Sequence, residues 1–194
     1  MRHSLIIFVS VLLLAACGGS KTDPVKEAIK GEIMGNMPQD FTSVEVTYVE
    51  KVDSTTFRTE LDRRKKAFTL KRDADSEFLL KYMQEGKRRN AAIKNESYVN
   101  DLRILQGLDS LGAAHADILD DIAYYDYRFS ARAKGKDVTM QFRDAYIAIT
   151  PDGRVISMTA ERRDLHKVAG RVIPGYYDLV KGSDEEDEEF EVIL

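Results

Sequence analysis

Cysteine is almost absent from this sequence: Cys17 is the only one among 194 residues. A lone cysteine cannot form a disulfide within the chain, and it cannot supply the thiolates of a zinc–sulfur site. Histidine is also scarce, and after the first few residues only His115 and His166 remain. Stability must therefore come from a hydrophobic core, which a chain of this length can bury.

Catalytic motifs are missing as well. The sequence contains no Gly-x-Ser-x-Gly turn, and Gly31 to Gly35 lacks the lysine and the context of a phosphate-binding loop. His115 and Asp117 are two residues apart in a predicted helical segment, so their side chains point in different directions. His166 falls in a charged stretch that we expect on the surface. We therefore predict no catalytic residue, no metal site and no cofactor.

Long hydrophobic runs are limited to one, Leu5 to Ala16, in which only Ser10 is polar. This run is shorter than the roughly 20 apolar residues that a membrane-spanning helix needs. It follows Arg2, and a basic start before a short apolar stretch is typical of a secretory signal. The sequence therefore predicts export rather than a transmembrane helix.

The residues at the end of this run, Leu14-Ala15-Ala16-Cys17, resemble the bacterial lipobox. The resemblance implies a signal peptide over residues 1–16, cleavage before Cys17, and membrane attachment through lipid on that cysteine. Residues 17–22 would then be a flexible tether. Ser20 to Asp23 is similar to the surface-export signal of Bacteroidota lipoproteins. The implied location is the cell envelope, at the outer membrane, on its periplasmic face or at the cell surface.

The segment that follows predicts, in sequence order, a helix, a strand and a helical insert. Asp23-Pro24 is typical of a helix start, and Val25, Ala28, Ile29 and Ile33 recur at helical spacing. Residues 43–52 are rich in valine and threonine and predict a first strand. Residues 56–122 carry apolar stripes spaced by threes and fours, which predict a helical insert packed as an antiparallel hairpin.

After the helical insert, apolar and polar residues alternate strictly along the sequence. Tyr125, Tyr127 and Phe129 share one predicted face of a strand, and a second strand ends at Ile149. The turn at residues 151–153 leads into a third strand. The order predicts one α+β domain over residues 23–182: an N-terminal helix packed on a four-stranded antiparallel sheet, with the helical hairpin inserted after the first strand. This element order resembles cystatin-like and NTF2-like folds. The alternative is a helical hairpin packed on a separate small sheet.

The C-terminal residues 183–194 form an acidic tail, with six consecutive acids from Asp184 to Glu189. Runs of like charge are usually solvated, although this run has basic clusters at residues 63–66 and 87–89 as alternative partners. Basic and acidic residues are interspersed in the remaining chain, and the net charge is −4. We therefore predict no binding to nucleic acid.

Two functional hypotheses follow. The first is a membrane-anchored, non-enzymatic binding or interaction module that recognises an envelope protein or a glycan. The second is an NTF2-like small-ligand binder or enzyme with an aromatic-lined pocket. The candidate ligand-facing residues of that pocket are Tyr125, Tyr127, Phe129 and Tyr146. The competing interpretation of these aromatic side chains is that they fill the core between helix and sheet.

Overall fold

The computed structural model describes residues 23–181 and confirms the predicted α+β fold. Its main elements are, in chain order, α1 (Pro24–Asn36), β1 (Phe41–Thr56), α2 (Phe57–Gln84), α3 (Arg88–Ala114), β2 (Ile122–Gly135), β3 (Thr139–Ile149), β4 (Val155–Thr159) and α4 (Tyr176–Val180). We refer to residues 160–181, which include two short 3₁₀ turns and α4, as the C-terminal segment. The leader, Cys17 and the acidic tail lie outside the described residues.

The four strands form one antiparallel sheet in the order β1-β2-β3-β4, so each strand pairs with its neighbour in sequence. The turn between β3 and β4 has Gly153 at φ 89°, a value that glycine adopts without steric cost. Strand β1 is long and lies at one edge, where β2 is its only described partner. The pairing is interrupted by bulges, one of them between Val46 and Tyr48.

Helix α1 covers one face of the sheet. The side chain of Asp23 accepts a hydrogen bond from the Val25 amide at 3.0 Å, and Pro24 occupies the first turn, where no amide proton is needed. Ile29 and Ile33 are fully buried against a sheet face that contains Phe129. This first core therefore arises from the helical spacing of α1 and the alternation of β2.

Helices α2 and α3 form the antiparallel hairpin inserted after β1. The side chain of Thr56 accepts a hydrogen bond from the Thr59 amide at 3.2 Å and caps the start of α2. Gly86, at φ 71°, lies in the turn between the helices. The base of the hairpin packs with the C-terminal segment and with Tyr124 of β2 in a second core, on the sheet face opposite α1. No helix within residues 23–181 is long and apolar enough to cross a membrane.

Candidate interaction surface and its buried anchor

The hairpin has a packed base and an uncovered far end. Its buried apolar residues in the second core lie near the base: Leu61, Phe68, Ile104 and Leu108. Between residues 69 and 103 the described part of the hairpin contributes no side chain to either core. The same stretch contains most of the large apolar side chains that the described residues expose: Leu70, Phe78, Leu80, Met83, Ile93 and Val99.

One of these exposed side chains, Ile93, continues the side of α3 that is buried at the base. Ile93 precedes the fully buried Ile104 by three helical turns, so both lie on the same side of α3. Phe78 lies across from this position, because Lys94 contacts its ring at 5.8 Å from the centroid. Phe78 is 45% exposed and Ile93 is 57% exposed. The hairpin thus exposes large apolar side chains beyond its packed base.

A buried carboxylate anchors the base of the hairpin. Glu60 in the first turn of α2 is fully buried and accepts a hydrogen bond from Arg64 Nε at 2.8 Å and another from Arg63. Arg64 also donates to the backbone carbonyl of Lys167 at 2.9 Å and to that of His166. Because Arg64 bridges Glu60 and two carbonyls of the C-terminal segment, it ties that segment to α2 through charge-assisted bonds.

Tyr124 connects this anchor to the sheet. Its hydroxyl donates to Glu60 Oε2 at 2.8 Å and accepts from Arg63 at 2.7 Å. The same oxygen lies 2.8 Å from His166 Nδ1. Burial, and next the negative charge of Glu60, raise the pKa of Tyr124 above its usual value. The phenol is therefore held in its protonated form, as a hydrogen-bond donor rather than a nucleophile.

His166 closes the network on Asp126 of β2. Its Nε2 lies 3.2 Å from Asp126 Oδ2, and Asp126 is fully buried. An Nε2 proton directed at Asp126 leaves Nδ1 to accept from Arg63, 3.0 Å away. The guanidinium groups of Arg63 and Arg64 both contact Glu60, and His166 links this group to Asp126. We interpret this set as a structural anchor that joins hairpin, sheet and C-terminal segment.

The histidine is the clearest difference from the sequence-based expectation. We expected His166 on the surface, but only 20% of its side chain is exposed. The charged stretch around His166 indicated an exposed segment, and Arg162 and Arg163 in that stretch are indeed exposed. A weak signal was present: Leu165 and Val168 flank His166, and both are buried. Within residues 23–181 no three His, Cys, Asp or Glu side chains are arranged to hold a metal ion.

The four aromatic residues that we selected as ligand-facing do not share one site. Tyr125, Tyr127 and Phe129 lie on the α1 face, where Phe129 is fully buried and Tyr127 packs against the first core. Tyr146 pairs with Arg128, and it packs against the second core on the opposite face. Lys51 lies over the ring of Tyr125 at 3.9 Å from the centroid. The buried members thus contribute to the two cores.

Comparisons with protein-family models, with curated proteins and with solved structures gave no match to this chain.

Proposed function

We propose that this chain is an envelope lipoprotein, anchored through Cys17, that works as a non-enzymatic interaction module with the α2–α3 hairpin as its contact element. The observation that carries the proposal is the exposure of large apolar side chains, among them Phe78 and Ile93, in the part of the hairpin that packs in neither core. Grooves that accept an amphipathic helix commonly use such side chains at helical spacing. The partner that fits is a helix of another envelope protein.

The lipobox-like sequence supports the proposed attachment to an envelope membrane. Leu14 to Cys17 provides the small residues and the cysteine of such a motif, directly after a short apolar stretch. The anchoring is tested by mass spectrometry of the N-terminal peptide and by fractionation of a Cys17→Ser variant. Acylated Cys17 in a membrane fraction is the expected result. An unmodified cysteine behind an intact leader would contradict it.

The contact element is tested by site-specific photo-cross-linking in intact cells. A photoreactive residue at position 93 should give one discrete protein adduct, and Phe78→Ala should reduce the yield of that adduct. Position 99 is the matched control, because Val99 is 54% exposed but lies six residues from Ile93 and so on another side of α3. Equal adducts from positions 93 and 99 would show that the face has no selectivity.

The second hypothesis, a ligand pocket lined by the selected aromatic residues, gains no support from their positions. The space between α1 and the sheet is filled by fully buried side chains, including Ile29, Ile33 and Phe129. The function that the geometry supports best is therefore partner recognition at the hairpin.

A further inference from the structure

Two backbone irregularities meet at Ser130 in the centre of the sheet. On the β1 side, Val46 pairs with Ala131 and Tyr48 with Ser130, so that Thr47 is an extra residue. On the β3 side, two residues stand opposite Ser130 alone, since Phe129 pairs with Ala145 and Ala131 with Phe142. Bulges re-aim side chains and are common beside functional sites.

The second bulge contains an unusual backbone conformation. Asp144 has φ 51°, and it is the only non-glycine residue within residues 23–181 with a positive φ. Its amide donates to Ser130 Oγ at 3.2 Å, and Thr47 Oγ1 donates to the Ser130 carbonyl at 3.1 Å. These bonds surround the left-handed backbone conformation of Asp144, which most side chains disfavour. Residues in such conformations cluster at functional sites.

The bulges border a surface cavity of about 170 Å³ on the sheet face opposite α1. Its polar lining consists of Thr47, Ser130, Arg132, Gln141 and Arg143. None of the lining residues is acidic. The cavity is separate from the hairpin and from the network around Glu60.

Neither arginine of this cavity forms an ion pair with an acid within residues 23–181. Arg143 donates through Nε and Nη2 to Gln141 Oε1, at 3.1 and 2.7 Å, and that acceptor is neutral. Arg132 pairs in register with Gln141 and Glu45, but no ion pair within residues 23–181 joins it to Glu45 or to any other acid. Asp144 is next to Arg143 in sequence and forms no ion pair with it.

The polar groups that remain available are almost all donors. Gln141 Oε1 is occupied by Arg143, which leaves its amide N–H groups, and Ser130 Oγ accepts from Asp144, which leaves its hydroxyl proton. Arg132 and the second guanidinium add further N–H donors. A planar guanidinium matches phosphate and carboxylate oxygens in the same way. Pockets for drug-sized ligands are usually about 300–1,000 Å³, so the ligand must be smaller.

We propose that this cavity binds a small oxyanion, a phosphate or carboxylate group carried by a compact hydrophilic molecule. The site goes beyond partner recognition at the hairpin and does not depend on it. The juxtaposition that carries it is two unneutralised arginines, a serine hydroxyl and an amide around a cavity opened by two adjacent bulges.

The test is calorimetric titration of the full-length protein in a neutral detergent, at constant ionic strength. Inorganic phosphate and glucuronate are the two probes, with glucose as the uncharged comparison. We expect saturable binding of at least one oxyanion probe with Kd of about 1 mM, which corresponds to about −4 kcal/mol. Binding of phosphate alone or of glucuronate alone supports the site and shows whether it accepts a phosphate or a carboxylate group. Glucose should give no saturable heat.

Variants place the binding in the cavity. Arg132→Ala and Arg143→Ala should each weaken binding at least tenfold, and both side chains are exposed, so the fold should survive. Arg143→Lys keeps the charge without the planar fork and should give an intermediate affinity. Arg89→Ala, at an exposed arginine of the hairpin, is the matched control and should not change the affinity. Absence of saturable binding by either probe, or equal losses in Arg89→Ala and Arg143→Ala, would overturn the proposal.

Discussion

Replacement of His166 by alanine should destabilise the protein strongly, because Asp126 then remains buried without its partner. Asp126 is fully buried, and His166 Nε2 lies 3.2 Å from its Oδ2. Removing the partner of a buried charge typically costs about 3–5 kcal/mol, because the remaining charge is left uncompensated. His166 is 20% exposed, so water can enter the vacated space, and we expect the lower end, about 3 kcal/mol.

The contact is isolated by a double-mutant cycle. Asp126→Asn removes the buried charge and should cost about 1 kcal/mol, as for one lost hydrogen bond. In His166→Ala/Asp126→Asn no charge is stranded, so the pair should cost about 2 kcal/mol, less than the sum of about 4 kcal/mol. The expected coupling energy is therefore about 2 kcal/mol.

Urea denaturation followed by circular dichroism provides the measurement. With a slope of about 2 kcal/mol per molar urea, His166→Ala should lower the midpoint by about 1.5 M. The slopes of all four proteins must agree for the cycle to be valid. A coupling energy within about 0.5 kcal/mol of zero would mean that His166 and Asp126 act independently, and our account of the anchor would fail.

Three further predictions concern packing and pH. Burial is the largest single effect on Asp75 and would raise its pKa, but the hydrogen bonds with Lys94 and Ser97 and the charges of Lys94 and Lys71 together lower that pKa below its usual value. The stabilisation from Asp75 should therefore be present at pH 7 and lost as pH falls below about 4. Asp75→Asn should accordingly have a lower thermal midpoint than the wild type at pH 7 but not at pH 2.5, and an equal difference at both pH values would refute the assignment. Gly170→Ala should cost about 2 kcal/mol in denaturant titrations, because a Cβ there would lie 2.6 Å from the ring of the buried Tyr176. Gly31→Ala, with nothing within 4 Å of its Cβ, should instead raise stability by about 0.5–1 kcal/mol, and a loss there would contradict the helix-propensity argument.

The fold was predictable where local patterns determine it. Alternation along β2 indicated that Tyr125, Tyr127 and Phe129 share a face, and the helical spacing of Ile29 and Ile33 indicated the face of α1 that is buried. Periods of two and of three to four residues are properties of a single element. Such patterns establish which side chains are buried, and the arrangement of elements follows from their order.

The anchor was not predictable, because its members come from distant parts of the chain. Arg63 and His166 are 103 residues apart, and no local period connects them. The face on which Tyr146 lies could not be derived from the sequence for a related reason, since it depends on the strand register. Tyr146 pairs with Arg128, which places it on the face opposite Phe129. The bulges around Ser130 shift that register, and no turn residue in the sequence marks them.

The length of the hairpin has a mechanical consequence. Helix α2 has 28 residues, so it is about 42 Å long at 1.5 Å per residue. It packs in the second core as far as Phe68, and its hydrogen bonds to Tyr124 of the sheet come from Glu60 and Arg63, so that 16 residues, or about 24 Å, extend beyond the packed base. A rotation of about 10° at the end of the packed base would displace the tip by about 4 Å, by simple leverage over this projecting length. The stiffness of the packing and hydrogen bonds at the base thus determines how far the tip can move toward a partner.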